Sequence, residues 1–131
     1  MIGGGNTSVD QAALFNSNLG RYVDVLDSYM SPSDLCHPSD DFGTVLAAAE
    51  QARASGKEFM LALAVAYEIQ CRFTAVVPDM ANASITTHPA MSASAGAGKP
   101  FGFCTAEIGN AIAIATVDNV SLACVYVEPV S

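Results

Sequence analysis

The 131-residue sequence predicts an all-α fold, a bundle of about five helices, on three observations. Capping signals open its helical periods, apolar residues recur at steps of three and four, and a single segment is β-branched enough for a strand, which alone makes no sheet. With 51% hydrophobic residues, the chain reads as one domain with enough apolar surface for a core.

Residues 1–7 are glycine-rich and polar and read as a loop. Ser8-Val9-Asp10-Gln11 fits a capping box, and the stripe Ala12, Phe15, Leu19, Tyr22, Val23 and Leu26 behind it is expected to face the core. Pro32 and Pro38 keep residues 24–41 from being one continuous helix. Pro38 suits the first turn of a second helix, with Asp40 and Asp41 at its positive end and Val45, Leu46, Ala48 and Ala49 behind them. Ala54-Ser55-Gly56 ends it, and Ser55-Gly56-Lys57-Glu58 is a further capping box. The run 59–67 that follows is apolar on every side, as the central helix of a bundle would be, and Glu68 and Arg72 form an i,i+4 pair at its end.

Over 73–87 the periodicity fades, so a long connection is expected. The Ala-, Ser- and Gly-rich segment 90–98 admits a flexible linker or a helix of very small cross-section. Its apolar surroundings favour the helix, because small side chains let packed helices approach closely. Thr105 is expected to cap a last helix through Ile108, Ala111, Ile112 and Ile114, and 120–127 is the lone strand-like segment.

Thirteen acidic against five basic residues give a charge of −8, which repels phosphate backbones and anionic lipid. No nucleic-acid partner and no membrane partner is expected. The run 59–67 is about half of the roughly 20 residues of a membrane span, and the N-terminus has neither the basic start nor the apolar block of a secretory signal. The expected location is cytoplasmic, or the mitochondrial matrix in a eukaryote. Cysteines at 36, 71, 104 and 124 form no CxxC pair and read as reduced, mostly buried thiols, so no metal and no cofactor is predicted. Gly98-Lys99-Pro100 places proline where a phosphate loop needs a hydroxyl, which excludes that motif.

Candidate chemistry concentrates in 24–41, which holds five of the thirteen carboxylates and one of the two histidines. Asp24 and Asp27 lie three apart and read either as a solvated polar face or as a close pair whose repulsion suits one of them to handling protons. His37 reads either as a loop residue before proline or as a general base near carboxylates. The second reading puts it at a pocket mouth, within hydrogen-bond reach of Asp24 or Asp27, with Asp24 orienting the ring.

Five stretches then carry a resemblance: Arg21-Tyr22-Val23-Asp24, Asp27-Ser28-Tyr29, Cys36-His37-Pro38-Ser39-Asp40, Ala66-Tyr67-Glu68-Ile69-Gln70-Cys71-Arg72, and Gly109-Asn110-Ala111-Ile112-Ala113-Ile114-Ala115. Together they resemble the MmgE/PrpD family, which includes 2-methylcitrate dehydratases and cis-aconitate decarboxylase, over nearly the whole chain and in the family's order. The resemblance implies a metal-free lyase of small tricarboxylates in propionate catabolism. It also implies a dimer whose helical domain is interrupted by an α/β lid, and this chain is read as a single, truncated piece of that helical domain without the lid.

By the resemblance, Asp24, His37 and His88 hold catalytic positions, and Asp27, Ser28 and Ser39 hold substrate-binding ones, with Ser28 where threonine is usual. Dehydratase-like members read Asp-His-Thr-Thr-His where this chain reads Ser84-Ile85-Thr86-Thr87-His88. Ile85 therefore replaces one histidine, and His88 takes the role if the two are interchangeable. The family's lysine and tyrosine motifs have no counterpart here. A 2-methylcitrate dehydratase-like domain with little turnover on its own is the expectation, and a homo-oligomer is its expected state. The alternatives are a non-catalytic helical oligomerisation module or, within the family, a cis-aconitate decarboxylase or an epimerase.

Overall fold

The computed structural model describes residues 1–32, 35–76 and 87–119. Within them the order is α1 (Val9–Arg21), β1 (Tyr29–Met30), β2 (Leu35–Cys36), a 3-10 turn (Pro38–Asp41), α2 (Phe42–Gln51), α3 (Gly56–Val76), α4 (Thr87–Gly98) and α5 (Thr105–Asn119). The fold is all-α, with five helices among the described residues. The strand-like segment 120–127, Cys124 and the connection 77–86 with Ile85 lie outside those residues.

The helices pack chiefly in sequence pairs, α1 on α2, α3 on α4 and α4 on α5, with α4 also reaching α2. Small residues make these contacts close. A Cβ on Gly96 would stand 2.7 Å from Val45 Cγ2 and 2.8 Å from Ala66 Cβ, so α4 approaches both α2 and α3 through a position that tolerates no side chain. The Ala/Ser/Gly segment is therefore a thin helix, as its surroundings require. Val45, Ala62 and Ala66 form the buried centre, and Phe59 and Leu63 pack against it. Removing Val45 from water is worth about 1.5–3 kcal/mol.

Helix α3 starts as the sequence requires. Glu58 Oε2 accepts the Ser55 N–H at 2.7 Å while Ser55 Oγ accepts the Glu58 N–H at 3.3 Å, closing a reciprocal capping box. The helix is longer than its apolar run, however, and takes in residues 73–76 of the expected connection. At 21 residues it is, among the described residues, the one helix long and apolar enough to cross a membrane by length and composition. It buries one face, Ala62, Ala66, Gln70 and Thr74 at steps of four, while Met60 and Leu61 stay exposed. An all-apolar run thus fully buries only its alanines, Ala62 and Ala66, while the larger Phe59 and Leu63 pack at the edge of the centre.

Three local expectations are corrected. Helix α1 stops at Arg21 and buries Ala12 and Asn16, whereas Phe15, Leu19, Tyr22 and Val23 of the apolar stripe face outward. The cause is Gly43 of α2, which sits against the Ser17 backbone and side chain, so α1 meets α2 through its small residues. Second, a two-residue antiparallel ladder exists, Tyr29 opposite Cys36 and Met30 opposite Leu35. Third, Cys104 rather than Thr105 precedes α5, its N–H bonded to Glu107 Oε2 at 2.7 Å, and Ser8 at the start of α1 makes no side-chain cap bond.

Candidate functional site

The β-ladder and the 3-10 turn hold His37 at a cleft. Ser31 Oγ donates to the Thr74 carbonyl at 3.0 Å, and Gln70 Nε2 donates to the His37 carbonyl at 3.5 Å, so α3 anchors both sides of the segment. Pro38 fixes the first position of the turn and contributes no N–H, which leaves the Ser39 amide to be satisfied. Asp27 does this: its Oδ1 accepts the Ser39 N–H at 3.0 Å.

His37 Nδ1 lies 2.7 Å from the Asp27 backbone carbonyl, with Ser28 Oγ 3.3 Å from the same nitrogen. A carbonyl only accepts, so the neutral imidazole carries its hydrogen on Nδ1 and leaves the Nε2 lone pair available. The ring is half-buried and lines a cleft of 330 Å³ with Leu14, Arg21, Cys36, Asp40 and Pro89. Arg21 Nη1 donates to both Asp40 oxygens at 3.0 and 3.1 Å. A second cleft of 210 Å³ holds Asp27 and Ser39 and shares Arg21 and Asp40 with the first, so this ion pair stands between the two.

The expected contact between His37 and an aspartate is made by the Asp27 backbone, not by a carboxylate. The Asp27 side chain braces the turn instead, and the half-buried Tyr67 phenol faces it. Burial first, then the Asp27 charge, push that phenol up to about 12. Asp24 does not orient the ring. It has a left-handed backbone, φ 51°, its side chain is 81% exposed, and its ion pair is to Arg21 Nη2 at 3.9 Å. The early end of α1 at Arg21 puts Asp24 on an exposed turn rather than beside the imidazole.

His88 opens α4 and is buried. Its ring stacks on Phe73, centroids 6.2 Å apart at 18°, and Nδ1 lies 3.3 Å from Thr74 Oγ1. The Thr74 hydrogen already goes to the Gln70 carbonyl at 2.9 Å, so Nδ1–H of His88 donates to the threonine oxygen. Pro89, the next residue, lines the cleft of His37. The structure therefore brings His37, Ser28, Asp27 and Ser39 together, sets His88 behind the cleft wall, and leaves Asp24 outside.

Two groups were not singled out from the sequence. Arg21 is one of five basic residues, and its place at a helix C-terminus is favourable for a cation whatever its function. Asp41, which looked like a helix-start carboxylate, is fully buried, and among the described residues neither oxygen makes a hydrogen bond. Burial pushes it up to about 7, the charges of Asp40 and Asp27 add to the shift, and the Ser92 hydroxyl opposes it. Cys36 is buried, Cys71 half-buried and Cys104 exposed, and burial together with Cys36 pushes the Cys71 thiol up to about 11. Among the described residues no group of three or more His, Cys, Asp or Glu is placed to hold a metal ion.

Among the described residues the arrangement offers an imidazole, a guanidinium and the serine Ser17 around a cleft large enough for a small organic acid. No solved structure matches the chain. The family model of the MmgE/PrpD N-terminal domain matches residues 1–131. That match spans the His-Pro-Ser turn, the Glu-x-x-x-Arg helix and the thin helix behind them, and the chain belongs to the MmgE/PrpD family.

Proposed function

We propose that the chain is the histidine-bearing domain of a lyase acting on small tricarboxylates, resembling 2-methylcitrate dehydratase. The observation that carries this reading is the His37 ring: Nδ1 is held by the Asp27 carbonyl at 2.7 Å and Nε2 is free beside a 330 Å³ cleft. Such a nitrogen takes the acidic proton next to a substrate carboxylate while a hydroxyl leaves from the neighbouring carbon. Ser28, beside the His37 ring, and Ser39, on the turn that follows it, are the hydrogen-bonding groups this reading assigns to the substrate, although the Ser39 hydroxyl is buried as the fold stands, and His88 positions the wall behind the cleft.

Cations limit the activity of this chain. A trianion needs several, and among the described residues Arg21 is the one basic side chain lining the cleft, already shared by Asp40 and Asp24. Little turnover is expected from the 131 residues alone. The test titrates 2-methylcitrate into the protein while the imidazole C–H resonances are followed by NMR and product is followed by ultraviolet absorbance. A shift of the His37 resonance, absent in His37→Gln, with little product, supports the reading. No shift at either histidine contradicts the site, and robust dehydration contradicts the low-activity part alone.

A second reading, a helical module that associates with its own copy, is favoured by one observation. Phe15, Leu19 and Tyr22 are 46%, 44% and 85% exposed along α1, and apolar faces of this kind commonly pair with another chain. A monomeric mass in light scattering at high protein concentration counts against it.

A further inference from the structure

Asp41 sits where the 3-10 turn of His37 meets α3 and α4, with no exposed surface. It precedes α2 at the cap position but makes no cap bond, so its carboxylate serves no helix end. Both of its oxygens are buried and unpaired, and Gln70 Oε1, on the α3 face that packs against the turn, is a buried acceptor in the same condition. Three buried acceptor atoms that make no hydrogen bond among the described residues, with the Ser92 hydroxyl as the one donor near the carboxyl, are a costly arrangement for an ionised carboxylate, whereas one added proton turns an acceptor into a donor.

The charged and titratable neighbours all work in the same direction or are already engaged. On the turn itself Asp40 is negative and bound to Arg21, and in the preceding loop Asp27 is negative and bound to the Ser39 amide. From α3 the Tyr67 phenol feels Asp41 but lies closer to Asp27 in its effect. From α4 comes the Ser92 hydroxyl, whose hydrogen goes to the His88 carbonyl at 3.0 Å or the Pro89 carbonyl at 3.3 Å, with His88 one turn earlier. Among the described residues no cation pairs with the carboxyl, and the Arg21 guanidinium is spent on Asp40 and Asp24.

We propose that Asp41 is held in the fold as a neutral, proton-bearing carboxylic acid, a positioning residue that keeps the His37 turn docked on the helix of His88, and that loss of its proton to solvent loosens this docking. The positioning role rests on His37 and His88 forming one site, as proposed above; the protonated state does not. Above neutral pH the buried carboxylate would face Asp40 and Asp27 with no counter-ion, and the turn is the element able to move.

The experiment uses the 131-residue chain labelled with ¹³C at the aspartate carboxyl carbons, followed by NMR from pH 4 to 9, beside Asp41→Asn, whose amide mimics the neutral acid. One aspartate signal is expected to titrate near neutral pH and to be missing from D41N, with the backbone amide resonances of the turn (Pro38–Asp41) showing a step of the same midpoint in the wild type that the variant lacks. Between pH 4 and 7 the wild-type folding equilibrium should weaken relative to D41N by up to roughly tenfold per pH unit, the signature of one proton held by the folded state. If every aspartate titrates in the ordinary acidic range, the neutral acid is overturned. If one titrates near neutrality while the backbone amides of the turn show no step with it, the positioning role is overturned. Should D41N not fold, the wild-type titration still decides both points, and neither depends on binding of 2-methylcitrate.

Discussion

Both histidines of this chain precede a proline at the start of a helical turn, yet the two turns are built differently. His37 is half-buried, its ring tied to a backbone carbonyl and its free nitrogen beside a cleft, in a segment braced by side-chain bonds from Asp27, Ser31 and Gln70. His88 is 2% exposed, stacked on Phe73 and bonded to Thr74, on a helix that packs through Gly96 against Val45 and Ala66. The same dipeptide therefore serves as a reactive edge in one place and as a packed wall in the other. What separates them is the neighbouring helix: α4 can bury its histidine because Ala, Ser and Gly let it approach closely, while the first turn buries Pro38 and Asp41 but leaves its histidine at the edge, held by hydrogen bonds.

The largest expected test of that contrast is overpacking. Gly96→Val should lower stability by about 3 kcal/mol, since even a Cβ there overlaps Val45 and Ala66; a denaturant midpoint close to wild type would break the claim that the His88 side is held by close packing. A pH effect of similar size or smaller comes from Asp41. Its folded value of about 7 lies above the ordinary 3.8, so the folded state holds the extra proton. The stabilisation is complete below 3.8, is lost as pH rises through about 7, and is constant above that. A melting temperature that rises from pH 4 to 7 relative to D41N would reverse the sign.

Thr74→Val keeps the shape of a buried side chain but removes the oxygen 3.3 Å from His88 Nδ1, at a cost of about 1–3 kcal/mol. The matching change on the other turn, His37→Gln, should cost under about 1 kcal/mol because its ring contact is exposed to water. Equal costs for the two in thermal melts would erase the distinction between wall and edge. Smallest of all, Arg21→Ala should change stability by about 0.2–1 kcal/mol, as an ion pair this open to solvent is screened.

The helices were legible where local chemistry decides them. Ser55 and Glu58 close their box as their spacing demands, and the Ala/Ser/Gly segment is a helix because its neighbours are helices that need it thin. Burial was less legible. The stripe of Phe15, Leu19 and Tyr22 has the right period for a buried face, but Gly43 against Ser17 decides which face of α1 is used, and that contact spans the chain from one helix to the next. The short ladder escaped notice because two-residue strands carry no alternation.

At the site, the proximity of Asp27 to His37 was readable, but the atom making the contact was not. Spacing indicates which residues meet, not whether a carboxylate or a carbonyl is presented, and Asp24 was misplaced because α1 ends before it. Asp41 gave no signal of its own. Four carboxylates around a proline turn look equally solvated in a sequence, and only the arrival of α3 and α4 buries one of them.

The central claim is that His37 presents an unprotonated Nε2 to the cleft because Nδ1–H is committed to the Asp27 carbonyl. Ring ¹⁵N chemical shifts of His37 in the neutral form test this directly. The predicted result is a protonated Nδ1 and a bare Nε2, the same in Ser28→Ala, since the carbonyl and not the hydroxyl holds the ring. A ring protonated mainly at Nε2 would contradict the assignment of His37 as the base of this cleft.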